Sequence, residues 1–247
     1  MRIPVIRGII DRRILVNFRI DPAVLRTVLP APFRPKIVHG VGMGGMCLIR
    51  VKDIRPRLLP AFVGVSSENA ALRFSVEWDV AGQVREGVYI PRRLTNSRLN
   101  ALVGGRLFPG VHDHARFQVE ESDPDYSVTI DSDDGKTHLA VKGRVAAELP
   151  ANSVFGSLEE ASDFFKGGSL GYSDTASAGT YDGLELRSFN WKVQPLAVER
   201  AESSVLSDRS VFPEGSVEFE CALLMRQIEH EWHGRESLCH CEPAAAA

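Results

Sequence analysis

Apolar and polar positions nearly alternate in short runs along this chain, at residues 14–20, 46–51, 72–80, 116–120, 126–130, 139–145 and 184–193. A two-residue period sends successive side chains to opposite faces, so each run reads as a β-strand. Turn-forming residues separate them: Ala81-Gly82, Asp133-Asp134-Gly135 and Asp182-Gly183, the last two suited to hairpin or bulge turns at positive φ. The pattern predicts a largely antiparallel sheet.

Three segments break this rhythm with helix-start signals. Asp21-Pro22 offers a cap and a first-turn proline, and Pro30 stops the helix after about two turns. Thr95 can cap a helix over 97–103, with Leu99, Leu102 and Val103 on one face. Ser157-Leu158-Glu159-Glu160 is a capping box leading into Ala161, Phe164 and Phe165, and Gly167-Gly168 ends that helix. Residues 222–232 stay open, because Leu224, Ile228 and Trp232 fit both a four-residue helical spacing and every second position of a strand.

Among 247 residues, 44% hydrophobic and 25% charged, no linker, charge block or repeat marks a boundary. A single domain over 1–242 with a disordered tail at 243–247 is the expectation. The formal charge of −3 gives no basic field to attract nucleic acid or an anionic membrane. No apolar run approaches the roughly 18 residues of a membrane span, and the N-terminus lacks a secretory h-region. A cytoplasmic protein with four reduced thiols (Cys47, Cys221, Cys239, Cys241) is expected. An exposed strand edge would favour a homo-oligomer, although no residue marks one.

Several motifs look like chemistry and lose that reading in context. Gly40, Gly42 and Gly45 satisfy a dinucleotide pattern, but the residues after them read as a strand, with no helix N-terminus to face phosphates. Gly167-Gly168-Ser169-Leu170-Gly171 imitates a nucleophile elbow, yet a helix precedes it where a strand is required. His230, His233, Cys239, His240 and Cys241 offer metal-ligand types close together, without a rigid tetrahedral setting. No metal and no cofactor is therefore expected.

The denser constellation runs from Glu68 and Arg73 through Tyr89, Arg92-Arg93 and Arg106 to His112-Asp113-His114. Two histidines on one face of an extended segment can transfer protons near neutral pH. Arginine fits a carboxylate through paired N–H donors. The same residues also fit a salt-bridge network along a barrel rim, and the sequence leaves both open.

The runs Ser66-Ser67-Glu68-Asn69-Ala70-Ala71, Gly87-Val88-Tyr89-Ile90-Pro91-Arg92-Arg93 and Gly104-Gly105-Arg106-Leu107-Phe108-Pro109-Gly110 resemble a bacterial family, domain-of-unknown-function family 2071. Phe164-Phe165, Gly171-Tyr172, the segment 181–185, Trp191 and the segment from 222 to Trp232 agree with it. That family sits in the acetoacetate-decarboxylase-like superfamily. The resemblance implies a mainly β (α+β) domain, an antiparallel cone- or barrel-like sheet around an interior cavity with a few short flanking helices. It also implies that Glu68 matches a pocket glutamate. The decarboxylases use a Schiff-base lysine, which lies a few residues beyond a glycine-arginine pair. Here Gly105-Arg106 leads to His112-Asp113-His114, and none of the six lysines falls between residues 53 and 135.

The expected function is a small-molecule pocket for a carboxylate or other polar organic ligand, lined by Arg73, Tyr89 and Arg106. A lysine-independent enzyme is kept open within it, with His112 or His114 as acid/base and Glu68 as their partner. The alternatives are a non-catalytic metabolite-sensing protein and a metal-assisted hydrolase built on the C-terminal histidines and cysteines.

Overall fold

The computed structural model describes residues 4–105 and 109–239. In chain order, β1 (Ile6–Ile20) leads to α1 (Pro22–Val28) and the short strands β2 (Arg34–Pro35) and β3 (Ile37–Val38). The long strands β4 (Val41–Pro56), β5 (Val65–Val80) and β6 (Gln83–Thr95) follow, then α2 (Arg98–Val103). Next come β7 (His112–Ser122), β8 (Asp125–Ser132), β9 (His138–Val145) and α3 (Leu158–Gly167). The chain continues through β10 (Leu170–Asp174), β11 (Thr180–Ser188), β12 (Gln194–Ser203) and β13 (Val217–Cys239).

Two of the three helix-start signals act as the sequence suggests. Asp21 accepts from the Ala23 N–H at 2.7 Å. Ser157 accepts from the Glu160 N–H at 3.1 Å, and the Glu160 carboxylate accepts from the Gly156 N–H at 2.7 Å, which closes the box. For α2 the cap is Ser97 rather than Thr95, whose hydroxyl instead accepts from the Ser97 N–H. The open segment 222–232 lies within the long strand β13. Residues 189–193, expected to extend a strand, lie outside β11, and Gly183 sits at a bulge in that strand without positive φ.

All thirteen strands belong to one sheet, antiparallel except where β6 meets β10 and β7. The sheet forks and closes twice. The wall β13–β1–β4–β5–β6 continues through β10 and β11 back to β13, a ring of seven strands. The same wall also continues through β7, β8, β9 and β12 back to β13. Closure removes exposed edges and encloses an interior.

Because the wall is shared, its strands are buried on both faces. Ile14, Val16, Met46, Leu48, Leu72 and Phe74 pack with Val128, Ile130, Leu139 and Val141 in the main apolar core. Leu15, Cys47, Cys221 and Leu223, on the other face, meet Phe155, Ala161 and Phe165, so α3 is packed there. The glycines before Met46 let β4 press onto β1: a Cβ at Gly45 would sit 2.0 Å from the Val16 carbonyl oxygen. Cys47 and Cys221 are buried free thiols, whereas Cys239 is disulfide-bonded, which corrects the expectation of reduced thiols at that position.

Candidate functional site

A cavity of about 210 Å³ lies inside the seven-stranded ring, and every strand of the ring contributes to it. Its walls are mostly apolar, from Ile49, Val51 and Ile54 on β4 to Val88 and Ile90 on β6 and Leu184 and Leu186 on β11. Val65, 46% exposed, also lines it, so the cavity reaches solvent near the start of β5. Into this apolar space the wall places Arg13, Arg73 and Arg93, together with Cys47 and His112.

Strand periodicity explains the set. Ser67, Asn69, Ala71 and Arg73 share one face of β5 and line the cavity. Cys47 pairs with Leu15 on one side and Ala71 on the other, so Arg13 and Arg73 flank it diagonally from the two adjacent strands. Arg93 pairs with Ala71 and, in parallel register, with His112.

The three guanidinium groups have modest partners. Arg13 Nε donates to Cys47 Sγ at 3.3 Å, Arg93 Nε donates to Ser173 Oγ at 2.9 Å, and Arg73 donates to Asn17 Oδ1. Arg73 is 6% exposed, stacks over Phe165 at 5.3 Å, and its Nε has no hydrogen-bond partner. Among the described residues no carboxylate pairs with any of the three, and neither Asp nor Glu lines the cavity. Burial pushes Arg73 and Arg93 down to about 10, which leaves both charged at neutral pH. Burial, aided by Arg93, pushes His112 down to about 4, so its ring is neutral there. Its Nδ1 donates to the Gly110 carbonyl oxygen at 3.0 Å, which makes Nε2 the basic nitrogen.

Of the residues expected at a site, the structure brings together Arg73 and His112 and sets three others apart. Glu68 lies five residues before Arg73 on the same strand and therefore on the opposite face, where it binds Arg12 at 2.6 Å and also Arg50. Arg12 and Arg50 also bind Glu121, so Glu68 belongs to a buried ionic network. Tyr89 donates to Asp174 at 2.9 Å and stacks on Phe33 within an aromatic cluster on that other side. His114 hydrogen-bonds Asp133 at 2.7 Å and does not line the cavity. Arg106 lies outside the described residues, as do His240, Cys241 and the tail at 243–247.

Arg13 and Cys47 carry no sequence signal as site residues, and Arg93 belongs to the constellation read from the sequence without a role of its own. The signal for Arg93 is Pro91. The β5–β6 register shifts between Leu72 and Phe74, so Tyr89 and Arg93, four apart, face opposite sides. A proline inside a strand is the usual mark of such a bulge. Of the C-terminal candidates, His230 and His233 are set apart for a related reason: β13 is a strand, so the two, three apart, do not share a face. Among the described residues no group of three or more His, Cys, Asp or Glu is arranged to hold a metal.

The sequence profile of domain-of-unknown-function family 2071, described as an uncharacterized conserved protein, matches residues 10–220. The chain belongs to that family. None of the curated proteins compared with it matches. Among solved structures, the chain is similar to acetoacetate decarboxylase from Legionella pneumophila (12% identity, 94% of this chain and 87% of that one, TM-score 0.56). An acetoacetate decarboxylase-like enzyme from Sphingomonas wittichii RW1 is similar as well (12% identity, 97% and 93% covered, TM-score 0.55). So is the enduracididine biosynthesis enzyme MppR in complex with pyruvate (8% identity, 97% and 91% covered, TM-score 0.59). At such identities the likeness establishes the acetoacetate-decarboxylase-like fold and carries no residue across. None of the six lysines lines the cavity. Lys52 binds Asp11 at 3.0 Å and Lys142 binds Glu199 at 2.6 Å, both away from it.

Proposed function

We propose that the ring interior binds a small organic carboxylate, held by Arg73 and Arg93 beside the neutral imidazole of His112. The observation that carries this reading is the set of three guanidinium groups facing one apolar cavity without a carboxylate partner. Burying a cation without a counter-charge costs several kcal/mol. An anionic occupant offsets that cost, and two arginines can address both oxygens of a carboxylate. The cavity is smaller than the roughly 300–1,000 Å³ of drug-sized sites, which suits a few-carbon acid. A structure of the same fold holding pyruvate supports the class of ligand.

Acid/base chemistry in this pocket falls to His112, whose ring is neutral at neutral pH and, with Nδ1 donating to Gly110, carries its lone pair on Nε2. Glu68 and His114, engaged elsewhere, take no part in it. Arg106, outside the described residues, keeps its expected ligand-binding role as part of the proposal.

The test is thermal denaturation with pyruvate, acetoacetate and succinate, each against its neutral amide. A ligand at about 100 times its Kd stabilises the native state by about 2.7 kcal/mol. Carboxylates raise the melting temperature of the wild type, their amides do not, and Arg73→Met and Arg93→Met abolish the shift. Equal shifts from acid and amide, or shifts that survive both substitutions, overturn the reading.

A further inference from the structure

We propose that Ser67, Asn69 and Asn100 form a second subsite of the ring cavity, one that holds a hydroxyl group on a ligand whose carboxylate lies at Arg73 and Arg93. The inference rests on the carboxylate reading of the same cavity and narrows the ligand to a short hydroxy acid.

The three side chains come from two elements. Ser67 and Asn69 stand two residues apart on the cavity face of β5, and Asn100 reaches them from α2. All three line the cavity on the side of Val65, where it opens, whereas Arg73 lies further in on the same face of the strand. Asn69 Nδ2 donates to the Ser67 carbonyl oxygen at 3.2 Å and to Ser67 Oγ at 2.9 Å, and Asn100 Nδ2 donates to the same Oγ at 3.2 Å. A backbone carbonyl only accepts, so Asn69 presents its amide nitrogen there and turns its Oδ1 away.

The bonds within the trio leave a defined remainder. Ser67 Oγ has two acceptor sites, both taken by the amides, and its own proton goes to no acceptor among the described residues. Asn69 Oδ1 and Asn100 Oδ1 likewise accept from no donor among the described residues, and both keep accessible surface. The trio therefore offers one donor and two acceptors to a cavity whose neighbouring wall, Ile49, Val51 and Ile54, is apolar. An alcohol hydroxyl both donates and accepts, and so matches that set. An ammonium only donates and is repelled by the arginines, and a second carboxylate only accepts and meets two amide oxygens. Arg93 pairs with Ala71, two residues from Asn69, so the subsites lie about 7 Å apart along β5, the reach of a chain of about four or five carbons.

Calorimetric titration with butyrate, 4-hydroxybutyrate, 4-methoxybutyrate and 4-aminobutyrate probes the subsite one group at a time. The hydroxy acid should bind about tenfold more tightly than butyrate, the factor that one well-made hydrogen bond supplies. The ether, which has no proton to donate, and the amine should show no such gain. Asn69→Leu and Asn100→Leu keep the size of the side chain, and each should erase most of the preference while butyrate retains its wild-type Kd, which also shows the variant to be folded. Equal affinity of the wild type for butyrate and 4-hydroxybutyrate overturns the hydroxyl subsite and leaves the carboxylate reading in place, whether or not either variant folds. A preference that survives both substitutions overturns it as well. Binding of neither acid to the wild type overturns the carboxylate reading itself, and the subsite with it.

Discussion

Glu68 holds two guanidinium groups on the face of β5 that looks away from the cavity, and this fixes what its loss would do. Glu68→Gln leaves Arg12, fully buried, with Glu121 as its remaining carboxylate partner. Breaking one member of a buried ionic cluster costs about 3–5 kcal/mol. Urea unfolding should therefore show a loss of about 3 kcal/mol, while the carboxylate-induced shift in melting temperature persists at temperatures where the variant is folded. A variant of normal stability that no longer responds to carboxylate would return Glu68 to the site. His112 makes a different prediction. Its folded pKa, about 4, lies below the ordinary 6.5, so the unfolded chain binds the proton more readily. The stabilisation from the neutral buried ring is present above pH 6.5 and is lost as pH falls from there toward 4. His230, also pushed down to about 4 by burial, acts in the same direction. Denaturant unfolding across that window should slope downward toward acid, and His112→Gln should remove at most about 1.4 kcal/mol per pH unit of the slope. An unchanged slope in both His112→Gln and His230→Gln would mean that neither ring is buried neutral.

At the level of elements, what the sequence made legible depended on whether local chemistry or the closed sheet decided the outcome. Caps are local, and α1 and α3 start where Asp21 and Ser157 say they should. Ser157→Ala removes the acceptor for the Glu160 N–H and should lower the unfolding free energy by about 1 kcal/mol, read from the urea midpoint at constant slope. A loss within error would mean that tertiary packing of Phe165 and Ala161, rather than the cap, holds α3 in place. Strand parity is only half local. Within β5 it separates Glu68 from Arg73 without any knowledge of the fold, once residues 65–80 are seen as one strand. Alternation predicts that strand only from 72, because Ser66-Ser67-Glu68-Asn69 shows no apolar period. Those residues line a polar and ionic stretch of the wall. In β6 parity reverses at the Pro91 bulge, so Tyr89 and Arg93 part company, and no single alternation marks β6 as a strand. Residues 222–225 defeat periodicity for a simpler reason: β13 is shared between two cores there and is buried on both faces.

Across the whole molecule the charges are sorted by the closed sheet. The chain carries a net −3, yet among the described residues no carboxylate lines the ring cavity: buried Glu68 binds Arg12 and Arg50, buried Glu220 binds Arg19, and the cavity holds arginine without acid. The lysines are sorted as well. All six lie outside the cavity lining, and Lys36, Lys52 and Lys142 are already paired with Glu86, Asp11 and Glu199. The fold is shared with proteins named as acetoacetate decarboxylases, but an amine is what Schiff-base chemistry needs, and the cavity presents guanidinium, imidazole and thiol instead. A guanidinium keeps its proton and binds a carboxylate where an amine would condense with a carbonyl. Incubating the protein with pyruvate or acetoacetate and reducing with borohydride should therefore yield no stoichiometric adduct by intact mass, under the conditions in which the same acids raise the melting temperature. A single reduced adduct on Lys52 or Lys142 would mean that the ring opens far enough to bring an amine inside. Thermal stabilisation without an adduct would separate the binding of the acid from the amine chemistry of its structural relatives, and leave the arginines to account for the first.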